Sequence, residues 1–212
     1  MANSCTGCDC STLKPIGVLG GTFDPIHLAH KALGEAAMEE IGLSKLIVMP
    51  AKMQPFKQDK KVAEDFHRLN MAKLTFEGVY NVEVCDYEIE NTVISYTFDT
   101  LKYLKEQYPE YEIYFISGTD SFLHMEKWYK GTDLLKNFSF AVCGRPGYKE
   151  EELEVAMKKY GEVYGAKVFK LKAQMPAISS TIIREKLSTG ESVSELVSKE
   201  VERYILKNGL YR

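Results

Sequence analysis

Apolar and polar residues follow two rhythms along this chain. Short apolar runs at 16–21 (IGVLGG), 45–50 (KLIVMP), 112–117 (EIYFIS), 138–143 (FSFAVC) and 166–171 (AKVFKL) have the length of buried strands. Residues 81–89 (NVEVCDYEI) alternate and read as a further strand. Between these runs, apolar residues recur at three- and four-residue steps. A helix is predicted over 28–42, with Leu28, Ala32, Leu33, Ala36, Ala37 and Ile41 near helical period and Gly42 as its stop. Another is predicted over 64–78, on Phe66, Leu69, Lys73 and Phe76, and a third over 95–109, on Phe98, Leu101, Leu104 and Tyr108. Residues 149–161 read as a charged, exposed helix, and 179–190 and 194–209 as two closing helices.

Strand and helix therefore alternate with short connections. That order predicts a parallel sheet covered on both faces. Right-handed crossovers then give a doubly wound, Rossmann-like α/β fold, here with a small C-terminal helical part. Residues 14–212 read as one domain and 1–13 as a tail. In such sheets ligands bind where the carboxyl ends of strands meet helix N-termini.

Composition narrows the function classes. The 212 residues are 45% hydrophobic and 27% charged, ordinary for one globular domain with a core. The formal net charge is −3, whereas proteins that clamp duplex DNA are usually basic, so nucleic acid is not the expected partner. No run approaches the roughly 18 apolar residues of a membrane span. The first residues, MANSCTGCDCSTLK, lack the apolar region of a secretion signal. The expectation is a cytoplasmic protein with no membrane partner; assembly into a homo-oligomer is left open. Cys85 and Cys143 sit in apolar runs and read as buried reduced thiols. Cys5, Cys8 and Cys10 form a C-x2-C-x-C cluster able to hold a soft metal. A closed zinc site usually wants a fourth ligand, and no nearby His or Cys supplies it, so this stretch reads as a mobile, reactive tail.

The chemistry concentrates in GVLGGTFDPIHLAH, residues 17–30. Gly20 and Gly21 follow the first strand, where glycine allows close backbone approach and unusual torsion angles. The next helix directs its N–H groups and dipole at the loop, which makes an anion site. The spacing is neither G-x-G-x-x-G nor G-x4-G-K-[ST], so neither a dinucleotide fingerprint nor a Walker loop is present. His27 and His30, three apart, bring both rings to nearly one helix face, where they can donate to phosphate oxygens. Helical zinc pairs prefer an i, i+4 spacing. Asp24 reads as a turn-fixing side chain. His67 reads as structural, Arg68 as opening or lining the second helix, and His124 receives no role. Ser179, Ser180 and Thr181 open a predicted helix, where hydroxyls and N–H groups converge; Arg184 follows one turn later with its planar fork.

GTFDPIHLAH resembles the signature of the nucleotidyltransferase superfamily marked by H-x-G-H. Within it, residues 14–212 resemble the bacterial nicotinate-nucleotide adenylyltransferase family. SYTFDTL (95–101), GTD (118–120), KWY (127–129), RPG (145–147) and ISSTIIR (178–184) occur in that family's order and spacing. Two departures stand out. Ala29 replaces the usual glycine between the histidines, and Phe56 replaces the histidine of a Pro-His-Lys stretch whose lysine survives as Lys57.

The resemblance implies adenylyl transfer from ATP to nicotinate mononucleotide, giving nicotinate adenine dinucleotide and pyrophosphate in NAD biosynthesis. It implies Mg2+ with the ATP, a cation that commonly takes its ligands from substrate and water, so no protein metal ligand is named. It implies ATP contacts from Gly20, Gly21, Thr22, Phe23, His27, His30, Ser179, Ser180, Thr181 and Arg184, with His27, His30 and Arg184 catalytic. Thr22, Lys57, Tyr96, Thr97, Gly118, Asp120, Trp128, Tyr129 and Arg145 would take the acceptor. Trp128 would stack on the pyridine, Tyr129 offer a backbone N–H, Thr97 help hold the acid group, and Asp120 meet ribose hydroxyls. Lys60 and Lys61 read as a solvated face. Another phosphate acceptor, such as nicotinamide mononucleotide, would use the same ATP machinery. The intact histidines and Arg184 argue against a catalytically silent nucleotide binder.

Overall fold

The computed structural model describes residues 13–52, 62–144 and 150–212. Six strands, β1 (Lys14–Gly21), β2 (Lys45–Pro50), β3 (Val82–Val84), β4 (Tyr111–Gly118), β5 (Ser139–Cys143) and β6 (Lys167–Leu171), form one sheet in the order β3-β2-β1-β4-β5-β6. Every pairing is parallel. The strand order reverses between β1 and β4, which opens a crevice at their carboxyl ends. The doubly wound expectation holds.

Period-two alternation sorts the strand residues between two cores. Ile16 and Val18 of β1, Ile47 and Met49 of β2, Ile113 and Phe115 of β4, and Phe140 and Val142 of β5 pack on one face. Leu19, Leu46, Val48, Ile116, Ala141 and Cys143 pack on the other. Both faces are apolar, so each strand reads as a continuous hydrophobic run. The first face is covered by α4 (Thr97–Gln107), α5 (Thr119–Phe122), a 3-10 turn (Met125–Lys127), α6 (Gly131–Asn137) and α7 (Glu150–Tyr164). The second is covered by α1 (Leu28–Ile41), α2 (Asp65–Thr75), α8 (Ser180–Ser188) and α9 (Lys199–Asn208). Among the described residues no helix is long and apolar enough to cross a membrane.

Three expectations are corrected. The strand expected over 81–89 ends at Val84, and Tyr87–Asn91 turn into a short helix, α3. Its Glu88 is buried and accepts a bond from Thr100 Oγ1 at 2.5 Å, a partner on α4 that an extended strand would not require. In α2 the inward face is Arg68, Met71, Ala72 and Thr75; of the expected row, Phe66 is 64% exposed and Lys73 is exposed, while Phe76, at the C-cap, is buried as expected. Arg68 wins the inward position because backbone carbonyls there satisfy it. Cys143 is buried as expected, but Cys85 is only half-buried; both are free thiols.

Candidate active site

A cavity of about 1140 Å3 opens at the β1/β4 reversal. Its floor is the end of β1 with Gly20 and Gly21. Neither glycine takes a positive φ; the left-handed residue of the loop is Phe23, at φ 52°. The torsional reading of the two glycines is thus corrected. At Gly21 the absent side chain matters instead, since a Cβ there would lie 2.7 Å from the Phe23 ring; at Gly20 the nearest atom, on the Phe115 ring, would be 3.4 Å away. Phe23 in turn sets its ring edge-on to His30, 5.0 Å between centroids.

His27 caps α1 and His30 stands in its first turn. Their rings stack, 3.7 Å between centroids and 20° between planes. The His27 backbone N–H donates to His30 Nδ1 at 3.3 Å. An Nδ1 that accepts leaves the ring proton on Nε2, so His30 is held as an Nε2–H donor. Both histidines and the methyl of Ala29 line the cavity. The helix end is less open than expected, because the Leu28 N–H already donates to Leu196 O at 2.9 Å.

The second segment expected to bind anions, Ser179 to Arg184, comes alongside. Ser179 caps α8 by accepting from the Ile182 N–H at 3.3 Å. Ser180 Oγ donates to Pro25 O at 2.9 Å and ties α8 to the first loop. Arg184 donates through Nη1 to Asp24 O at 2.6 Å and through Nη2 to Thr181 Oγ1 at 3.2 Å. Asp24 does more than shape a turn. It is buried, and its Oδ1 accepts from the Ala63 N–H at 3.0 Å and from the Tyr211 hydroxyl at 2.7 Å. Burial and the Asp24 carboxylate push the Tyr211 phenol far up, so it stays a donor.

The opposite wall is aromatic and hydroxyl-rich. Trp128 is half-buried and stands edge-on to Phe115, 6.1 Å between centroids. Tyr129 lies against Tyr96 at 4.4 Å, with Lys130 Nζ 5.1 Å from the centroid of its ring. Thr97 begins α4, Gly118 caps α5, and Asp120 lies in the first turn of α5. All of these but Lys130 line the cavity, as do Thr22, Ser179, Ser180, Thr181 and Arg184. Lys57, Phe56, Lys60, Lys61, Arg145 and Cys5, Cys8 and Cys10 lie outside the described residues.

Sequence reading missed several lining groups. Ser95 and Glu88 also line the cavity, and burial raises the Glu88 carboxyl against the opposing pull of hydrogen bonds from Ser95 and Thr100. Cys143 lines it too; its Sγ donates to Ala173 O at 3.1 Å, and burial pushes the thiol up to about 11. Exposed His124 reaches the rim. His67 is structural, its Nδ1 2.9 Å from the Tyr204 hydroxyl.

A cytidylyltransferase-like family model matches residues 18–186, which include both histidines and Arg184. The chain belongs to the cytidylyltransferase-like family. This cytidylyltransferase-like chain is 37% identical over 198 residues to a protein of Thermoanaerobacter sp. (strain X514) named "Probable nicotinate-nucleotide adenylyltransferase", covering 93% of this chain and 94% of that one. A protein of Aliarcobacter butzleri (strain RM4018) with the same name is 37% identical over 191 residues, covering 90% and 94%. Among solved structures, Plasmodium falciparum nicotinic acid mononucleotide adenylyltransferase complexed with NaAD superposes with a TM-score of 0.77 at 25% identity, covering 93% of this chain and 97% of that one.

Proposed function

We propose that this chain transfers the adenylyl group of ATP to nicotinate mononucleotide, forming nicotinate adenine dinucleotide and pyrophosphate in NAD biosynthesis. One observation carries the reading: a single cavity joins a donor-rich wall, made of the His27/His30 stack and the Ser179–Arg184 segment, to an aromatic wall bearing Trp128 and Thr97. The names of relatives that match nearly the whole chain supply the acceptor.

A phosphate oxygen of the acceptor attacks the α-phosphorus of ATP in line. A P–O bond forms, the bond to the β-phosphate breaks, and pyrophosphate leaves. A phosphate monoester with a second pKa near about 6 is already an anion at neutral pH, so no general base and no covalent intermediate are required. The protein holds two polyanions together and stabilises charge on the phosphates. His30 Nε2–H, His27 and Arg184 are donors for that charge. Thr22 steers the attacking phosphate, while Trp128 and the Tyr129 backbone N–H flank the pyridine. Mg2+ would be carried by the ATP phosphates, with phosphate oxygens and water as its ligands; of the three carboxylates that line the cavity, Asp24, Glu88 and Asp120, the first two already accept hydrogen bonds from protein donors.

The test is pyrophosphate release with Mg-ATP and nicotinate or nicotinamide mononucleotide side by side. A large preference for the nicotinate form supports the assignment. Equal rates keep the adenylyl transfer and break the acceptor assignment. Release with neither overturns the function.

A further inference from the structure

Arg68 is fully buried on α2, and it does not line the cavity. Each of its five N–H donors has an acceptor. Nη1 donates to Thr22 O and to Ala51 O, both at 2.6 Å. Nη2 donates to Lys52 O at 3.1 Å and to the Asp65 carboxylate, and Nε donates to Ala63 O at 3.1 Å. Those carbonyls belong to three separate stretches: the loop after β1, the residues after β2 and the approach to α2. The other Asp65 oxygen holds Lys52 Nζ at 2.9 Å.

Lys52 continues the chain of contacts. Its N–H donates to Ser95 Oγ at 2.9 Å, and its Nζ donates to Ile89 O at 3.1 Å. Ser95 precedes Tyr96 and Thr97 on the acceptor wall, and Glu88 receives Thr100 from the same wall. A planar fork with five fixed donors can hold this set of carbonyls in one arrangement; an ammonium with three donors cannot.

We propose that Arg68 is a positioning residue that sets the ATP loop, through Thr22, and the acceptor wall, through Lys52 and Ser95, at the separation in-line attack requires. In-line transfer depends steeply on that separation, with a 1 Å misplacement costing roughly 10²-fold in rate. Because Arg68 touches neither substrate's space, its loss falls on turnover rather than on nucleotide binding. The inference rests on the adenylyl transfer proposed above. A parent protein that releases no pyrophosphate from Mg-ATP with either mononucleotide sinks that function, whereas an active parent with unaffected variants sinks only the Arg68 role.

The experiment compares the full chain with Arg68→Lys, Asp65→Asn and the double variant. Each is checked for native circular dichroism, assayed for kcat and both KM values, and titrated with a non-hydrolysable ATP analogue by calorimetry. Arg68→Lys is expected to lose about 10²-fold in kcat, with the analogue dissociation constant moving by less than about threefold. Asp65→Asn, which keeps a neutral acceptor beside Arg68, is expected to lose about threefold to tenfold in kcat, and the double variant little more than Arg68→Lys alone. Folded variants turning over within about twofold of the parent overturn the proposal, as does a loss confined to analogue binding. If Arg68→Lys does not fold, Asp65→Asn decides by the same criteria.

Discussion

The ring of His30 stacks on that of His27 with 3.7 Å between centroids, and its Nδ1 accepts the His27 backbone N–H. The stack fixes one ring by the other and leaves His30 Nε2 as the donor. A preorganised donor of this kind stabilises charge that develops in the transition state more than charge already present in ATP. His30→Ala is therefore expected to lower kcat by roughly 10²–10³-fold. The dissociation constant of a non-hydrolysable ATP analogue should rise far less. Steady-state kinetics beside calorimetry checks this, and equal losses in both would contradict the assigned role.

Tyr211 and Asp24 are 187 residues apart and share a 2.7 Å hydrogen bond. The same Asp24 presents its carbonyl to Arg184. Tyr211→Phe removes one donor to a buried carboxylate that keeps the Ala63 N–H. The expected cost is about 1.5–3 kcal/mol, the range for hydrogen bonds to charged groups. Thermal unfolding should show a drop of several degrees at this chain length. An unchanged Tm would mean that Tyr211 does not anchor the loop.

The two kinds of feature differed in how far sequence could reveal them. The strands were legible because both sheet faces are buried, so Val18, Ile47, Phe115 and Phe140 sit in uninterrupted apolar runs. The histidine pair was legible because His27 and His30 are near in sequence, at the cap and in the first turn of one helix. Arg68 was not, because a helical pattern places charge outward and its acceptors are carbonyls from three distant stretches. A signal existed in Asp65, three residues before it on the same helix face. Glu88 was hidden by an alternation that continued past the end of β3. Tyr211 left no local pattern at all.

Cys143 faces the cavity as a buried thiol raised to about 11 by desolvation. Below that value it is protonated and weakly nucleophilic. Alkylation of the Cys143 peptide, followed by mass spectrometry, is expected to be slow at neutral pH and to rise about tenfold per pH unit on approaching the raised value. The same peptide in denaturant should react at an ordinary rate. Rapid native labelling at neutral pH would show that the thiol is neither buried nor raised.

Burial is also the main influence on Glu88, whose carboxyl is raised from its usual 4.5, with Ser95, Thr100 and Arg68 opposing the shift. The folded state then binds a proton more tightly than the unfolded chain. Stability contributed by this group is fully present below the unfolded value, and it is lost as pH climbs through the folded value. Glu88→Gln carries no such proton. The stability of the Gln variant relative to the parent is expected to increase from pH 4.5 upward and to level off above the folded value. Urea titrations of both proteins across that window check the slope. A difference independent of pH would mean that Glu88 is ionised in the folded state as readily as in the unfolded chain, and that its hydroxyl partners and Arg68 fully offset its burial.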